Sequence, residues 1–171
     1  MKGPFALLLS VVFSLVPAVA ESQSSGFPSS VGVGAHGYDW LVGSWSCTNS
    51  MPSAMGGPST TSLTAAHSAN GSIMVHLSGR NFDTTGYISY DGKSTTWWNP
   101  SALNNGEASN ESTRQTGRRT VWTGTAIDPR NGTSKIRDTY TAFNRTRFSD
   151  VTEASIGGKW KLVGNIVCTK S

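Results

Sequence analysis

Charged residues make up only 14% of the 171-residue chain, while Ser and Thr together supply 44 residues, so the polar surface is built from hydroxyls rather than charge. A formal net charge of +4 is too mild for a nucleic-acid-binding face, and 36% AVILMFWYC is enough for a packed core. No Gly-X-Y period, Cys-rich scaffold or heptad is present, which excludes collagen, knottins and coiled coils.

Read from its start, the chain opens with Lys2 and the apolar stretch from Phe5 to Val16. Pro17-Ala18-Val19-Ala20 then offers the small-x-small pattern of a signal-peptidase site, with cleavage after Ala20. That stretch is too short to cross about 30 Å of hydrocarbon, so it reads as a signal peptide over 1–20 and the protein as secreted or periplasmic. Residues 21–37, rich in Ser and Gly, read as a flexible leader, and 38–171 as a single domain. Cys47 and Cys168 are the only cysteines, and in an oxidising compartment the pair predicts a disulfide that makes the two ends of the domain neighbours.

Turn dipeptides punctuate the domain at short intervals: Asn70-Gly71, Asp91-Gly92, Asn105-Gly106, Thr116-Gly117, Asn131-Gly132 and Gly157-Gly158. Between them lie runs rich in Thr, Val, Ile, Tyr and Trp, with no sustained 3.6-residue apolar period. The pattern predicts an all-β meander of about nine or ten antiparallel strands. A Cys47–Cys168 bridge would tie first strand to last, so the sheet is expected to close into an up-and-down barrel.

The turns also suggest registers. If Asp128 pairs with Thr133, one face carries Val121, Thr123, Thr125, Ile136, Asp138 and Tyr140. Continued through the following turns, that face gains Val151, Glu153, Trp160, Leu162, Ile166 and Cys168, and backward it gains Asn110, Ser112 and Arg114. The other face collects Glu107, Glu111, Lys135, Arg137, Asp150, Lys159 and Lys161. Charge marks the solvent side, so the first face is expected to line the interior; a one-residue slip would invert the assignment.

Asp138 and Glu153 then stand as two carboxylates on an otherwise apolar and aromatic interior. Buried acids are costly unless paired, which makes them candidate ligand contacts or, in an enzyme, an acid/base pair, beside the plainer reading of a structural network. His67 and His76 fall on one face if His67 opposes Met74, a weak metal pattern without a third strong ligand. No zinc-type spacing, nucleophile elbow or phosphate loop occurs. Trp97-Trp98 sends one ring inward and the other outward, and Trp45, Trp97 and Trp160 are candidates to line a lumen.

Several segments carry a family resemblance: Trp40-Leu41-Val42-Gly43-Ser44-Trp45, the Gly86-Tyr87 to Tyr90-Asp91 hairpin before Trp97-Trp98, Arg137-Asp138-x-Tyr140, and Gly158-Lys159-Trp160. Over Asp39 to Lys170 the chain resembles an uncharacterised secreted bacterial family of calycin-like barrels, distantly similar to nitrobindin, lipocalins and fatty-acid-binding proteins. The resemblance implies a ligand-binding barrel. Nitrobindin-like proteins hold haem through a His in a late strand; Trp160 to Thr169 has none, so no cofactor is expected.

These readings converge on a monomeric, disulfide-closed barrel that binds a small hydrophobic or aromatic ligand through Trp45, Trp97, Asn110, Thr123, Asp138, Tyr140, Glu153 and Trp160. Neither nucleic acid nor a membrane span is expected. The alternatives are an isomerase- or cyclase-like enzyme using Asp138 or Glu153, and a structural or interaction domain with a filled core.

Overall fold

A computed structural model describes residues 36–50, 59–80 and 83–171. The expected signal peptide and residues 21–35 of the expected leader lie outside them. The described chain forms ten strands in sequence order: β1 (Gly43–Asn49), β2 (Ser59–His67), β3 (Ile73–Ser78), β4 (Asp83–Asp91), β5 (Thr96–Leu103), β6 (Ala108–Thr113), β7 (Arg119–Asp128), β8 (Gly132–Asn144), β9 (Arg147–Ile156) and β10 (Lys159–Lys170). Each pairs antiparallel with its sequence neighbours, and β1 pairs with β10, so the meander closes into a barrel without a free edge. Cys47 and Cys168 face each other in that last pairing and form the disulfide. No helix of the described residues is long and apolar enough to cross a membrane.

Alternation explains the unusual composition. In β1, Trp45 and Cys47 are buried while Ser44, Ser46 and Thr48 are exposed; the hydroxyl residues cover the outside of the sheet. The main core gathers Trp45, Leu63, Val75, Leu77, Ile88, Trp97, Trp122, Tyr140 and Phe148 inside the barrel. A short 3₁₀ turn, Asp39–Leu41, leads into β1. Tyr38 and Leu41, 1% and 0% exposed, are inserted into this core. Leu41 is fixed through its carbonyl, which accepts a 2.7 Å hydrogen bond from Trp45 Nε1. Tyr38 packs 4.8 Å from the Trp97 ring and 5.1 Å from Trp122, and its hydroxyl donates to the Gln115 carbonyl at 3.2 Å. A smaller apolar layer, Ala126, Ile136, Ala154 and Val163, lies apart from it.

The barrel matches the expected architecture, but several faces are inverted, with three local causes. Asp128 pairs with Gly132 rather than Thr133. The connection is a three-residue loop in which the Asn131 amide bonds the Asp128 carbonyl at 3.2 Å and Gly132 takes a left-handed φ of 82°. That single-residue difference turns Val121, Thr123 and Thr125 outward and buries Thr120, Trp122 and Ala126. Because Ser112 pairs with Thr123, β6 follows β7: Asn110 and Arg114 are exposed, Ser112 is on the outer face, and Glu107 and Glu111 are buried. An irregularity between Ala142 and Asn144 shifts β9, so Asp150 and Thr152 are inward and Val151 and Glu153 outward. A second irregularity, between Leu162 and Gly164, explains why Trp160 and Leu162 are 41% and 46% exposed although Ile166 and Cys168, on the same strand, are buried.

Candidate functional site

The interior has two unlike walls. Strands β1–β4 present Trp45, Leu63, Val75, Leu77 and Ile88, whereas β5–β9 add to their own buried Trp97, Trp122, Tyr140 and Phe148 the polar Asn99, Glu111, Asp138, Asp150 and Thr152 at 0–1% exposure. Cross-strand register assembles the polar set. Asn99 lies opposite Glu111 in the β5–β6 pairing, Trp122 opposite Asp138 in β7–β8, Asp138 opposite Thr152 and Tyr140 opposite Asp150 in β8–β9. Gly124 sits opposite Glu111, and a Cβ there would collide with the Asn110 carbonyl oxygen, so glycine lets β6 and β7 approach where this wall is formed.

The Glu111 and Asp138 carboxyls and the Thr152 hydroxyl interact with one another, but no cation of the protein reaches these carboxyls or Asp150, and neither amide atom of Asn99 has a partner. The electrostatics follow from that isolation. Burial, then the neighbouring Asp138 and Asp150, pushes the Glu111 carboxyl well above the ordinary range. Burial and the Asp138 charge do the same to Asp150. Asp138 is pushed up to about 6 by burial, with the nearby Glu111 carboxyl and Thr152 hydroxyl pulling it the other way. The Tyr140 phenol is also driven up by burial and by Asp150, Asp138 and Glu111, which places four titratable groups in mutual electrostatic contact. Two facing carboxylates repel, and a shared proton removes the repulsion. Burial and mutual repulsion thus favour the protonated form of these carboxyls relative to the same groups in water.

A second acidic pair is differently resolved. Glu107 and Asp128 are each 2% exposed, yet Arg130 reaches both, at 3.2 Å from its Nη2 to Glu107 and 3.6 Å from its Nε to Asp128.

Of the residues expected to line the interior, Trp45, Trp97, Asp138 and Tyr140 are buried there. Asn110 and Thr123 are exposed on the outer face, and Thr123 lines an outer groove of about 500 Å³ with Trp98, Arg114 and Gln115. Glu153 belongs to the outside as well: Arg137 donates from Nε to Glu153 Oε2 at 2.6 Å and from Nη2 to Oε1 at 2.9 Å. This pairing holds Glu153 below its ordinary value. Trp160 completes that outer cluster, with the Arg137 guanidinium 4.6 Å from its ring centroid. His67 opposes Ile73 rather than Met74, so it falls on the opposite face from His76. His67 Nε2 lies 3.4 Å from Asp39 and His76 Nε2 2.7 Å from Asp83. No group of His, Cys, Asp and Glu suited to a metal ion occurs among the described residues.

Glu111 and Asp150 were not expected inside. β6, Ala-Ser-Asn-Glu-Ser-Thr, has no apolar alternation from which to read a face, whereas the Arg147–Phe148 step in β9, exposed then buried, was a usable signal. No protein-family model matches the chain, and no curated protein matches it significantly.

Proposed function

We propose that the protein is a secreted or periplasmic, monomeric barrel that binds a small, largely apolar molecule carrying a polar group. The observation that carries this reading is the mixed interior: an apolar and aromatic lining that also holds Asn99 with no partner and carboxyls with no cation, which is the composition of a small-molecule site. Tyr38 marks the place of the ligand's ring. It comes from the segment preceding β1 and fills an aromatic slot between Trp97 and Trp122, next to the polar wall, so a ligand ring exchanges with it. The disulfide supports an oxidising compartment.

Binding is tested by calorimetry and melting temperature with a panel of lipids, terpenoids, haem and small aromatic compounds, on the wild type and on Tyr38→Ala. Tyr38→Ala is expected to bind its ligand more tightly than the wild type, because the competing ring is gone. Indifference of both proteins to the whole panel would sink the proposal.

Acid/base catalysis in the same barrel is a second reading, favoured by the position of Asp138 near 6. With Glu153 outside, its partner would be Glu111. Conversion of a bound ligand, abolished by Asp138→Asn without loss of binding, would separate catalysis from binding.

A further inference from the structure

The buried acidic and basic side chains of the described residues are unbalanced in sign. Glu107, Glu111, Asp128, Asp138 and Asp150 are buried, and no Lys, Arg or His is. Arg130 reaches in to Glu107 and Asp128, which leaves Glu111, Asp138 and Asp150 as an inward-facing acidic set with no cation. Asn99 supplies an independent indication. Its side chain is 1% exposed, both its amide atoms lack a partner, and it stands directly across from Glu111. A buried amide left unbonded on both sides costs free energy that a hydrogen-bonding ligand recovers.

The chemistry that fits is narrow. Asn99 Nδ2 and Trp122 Nε1 are donors, but the six carboxyl oxygens and the Asn99 carbonyl outnumber them as acceptors, so the group that satisfies most of this set is a donor of positive charge. No group of His, Cys, Asp and Glu among the described residues is suited to a metal ion, so an organic ammonium fits this set better than a metal does. Trp122, 0% exposed and opposite Asp138, adds an aromatic ring of the kind that attracts ammonium groups. A quaternary ammonium would leave the acceptors unmade, whereas a primary ammonium brings three N–H donors.

Building on the binding function proposed above, we infer that the ligand is a primary amine on a short aromatic stem, its ammonium seated among Glu111, Asp138, Asp150 and Asn99 and its ring in the slot held by Tyr38. Bringing the cation in favours ionised carboxylates, so carboxyls that hold protons in the free protein release them to solvent on binding.

Three molecules of one shape provide the test: 2-phenylethylamine, 2-phenylethanol and phenylacetate, titrated calorimetrically into the wild type and Tyr38→Ala. The amine is expected to bind at least about tenfold more tightly than the alcohol, phenylacetate to bind weakest, and titrations in buffers of different ionisation enthalpy to show proton release with the amine alone. Glu111→Gln should reduce amine affinity about tenfold and alcohol affinity several-fold less, so that the preference for the amine shrinks. If that variant fails to fold by circular dichroism, Asp150→Asn makes the same comparison, and proton release on the wild type needs no variant. Equal binding of amine and alcohol, preference for phenylacetate, or amine binding without proton release overturns the cation and leaves the binding barrel standing. No binding of any compound in this trio or in the wider panel, by either protein, overturns both.

Discussion

The β1–β4 wall buries Leu63, Val75, Leu77 and Ile88 among apolar neighbours, while the β5–β9 wall buries, beside its aromatic rings, Asn99, Glu111, Asp138 and Asp150 with no cation among them. Both walls belong to one continuous sheet, so backbone pairing does not distinguish them. Side-chain chemistry does. A fully buried Leu or Ile stabilises the fold by roughly 1.5–3 kcal/mol, whereas an unpaired buried carboxyl is tolerated chiefly by keeping its proton. The contrast teaches that stability at β1–β4 comes from apolar burial alone, whereas at β5–β9 the aromatic core shares its space with carboxyls whose contribution depends on pH.

The strongest way to break this comparison is to treat the walls alike. Leu77→Ala, at 0% exposure on the apolar wall, should cost about 2–5 kcal/mol in urea denaturation, the range for a buried leucine that leaves a cavity. A loss below 1 kcal/mol would mean that this wall does not carry the stability.

The polar wall should instead reveal itself through pH. Glu111, Asp138 and Asp150 hold protons more tightly folded than unfolded, so the folded state binds more protons and stability falls as pH rises. Their contribution is complete below about pH 4, where the unfolded chain is protonated too. For Asp138, whose folded value is about 6, the loss on passing through that pH is on the order of 3 kcal/mol. Glu111 and Asp150 carry the decline higher. Urea midpoints between pH 4 and pH 8 check the slope, and Asp138→Asn should flatten it and leave the protein more stable than the wild type at pH 8. A wild-type midpoint that rises with pH would place these acids in an ionised, well-paired state.

A smaller effect is expected where the two polar strands approach. Gly124→Ala should cost about 1–3 kcal/mol, because the added methyl meets the Asn110 backbone rather than a side chain that can turn away. The change should also alter the pH dependence, since Gly124 lies across from Glu111. Least of all should follow from Glu153→Gln. Its partnership with Arg137 is partly exposed, so the loss should be about 0.5 kcal/mol and the pH slope of the interior unchanged.

How far this layout could be read from sequence differs from strand to strand. Paired turn dipeptides and two cysteines near the ends of the domain were enough for a closed meander, because those signals are local and additive. The β8 face was readable too: Lys135 and Arg137 flank Ile136, Asp138 and Tyr140, and charge against apolar alternation leaves one assignment. What could not be read was the count of residues in three places. A three-residue loop before Gly132 and irregularities near Phe143 and Val163 each move a strand by one position, and one position exchanges inside for outside. Thus Asp138 was placed correctly, while Glu153 stood in for Asp150, and Glu111 was hidden in a strand without apolar residues. Loop conformation depends on tertiary fit as well as residue type, so these registers are set by the folded barrel and not by local sequence alone.

The bond between Cys47 and Cys168 has a further consequence for how the chain withstands proteolysis. Together with the backbone between them it makes a covalent ring that contains nearly every strand, including each exposed hairpin tip from Asn70-Gly71 to Gly157-Gly158. A protease that cuts one of those tips opens the ring but releases no fragment. The nicked chain keeps its strands tethered to one another, and only a second cut, or a reductant, lets a piece depart. Survival after a first proteolytic hit is thus a property of the molecule's connectivity, separate from the free energy of its fold.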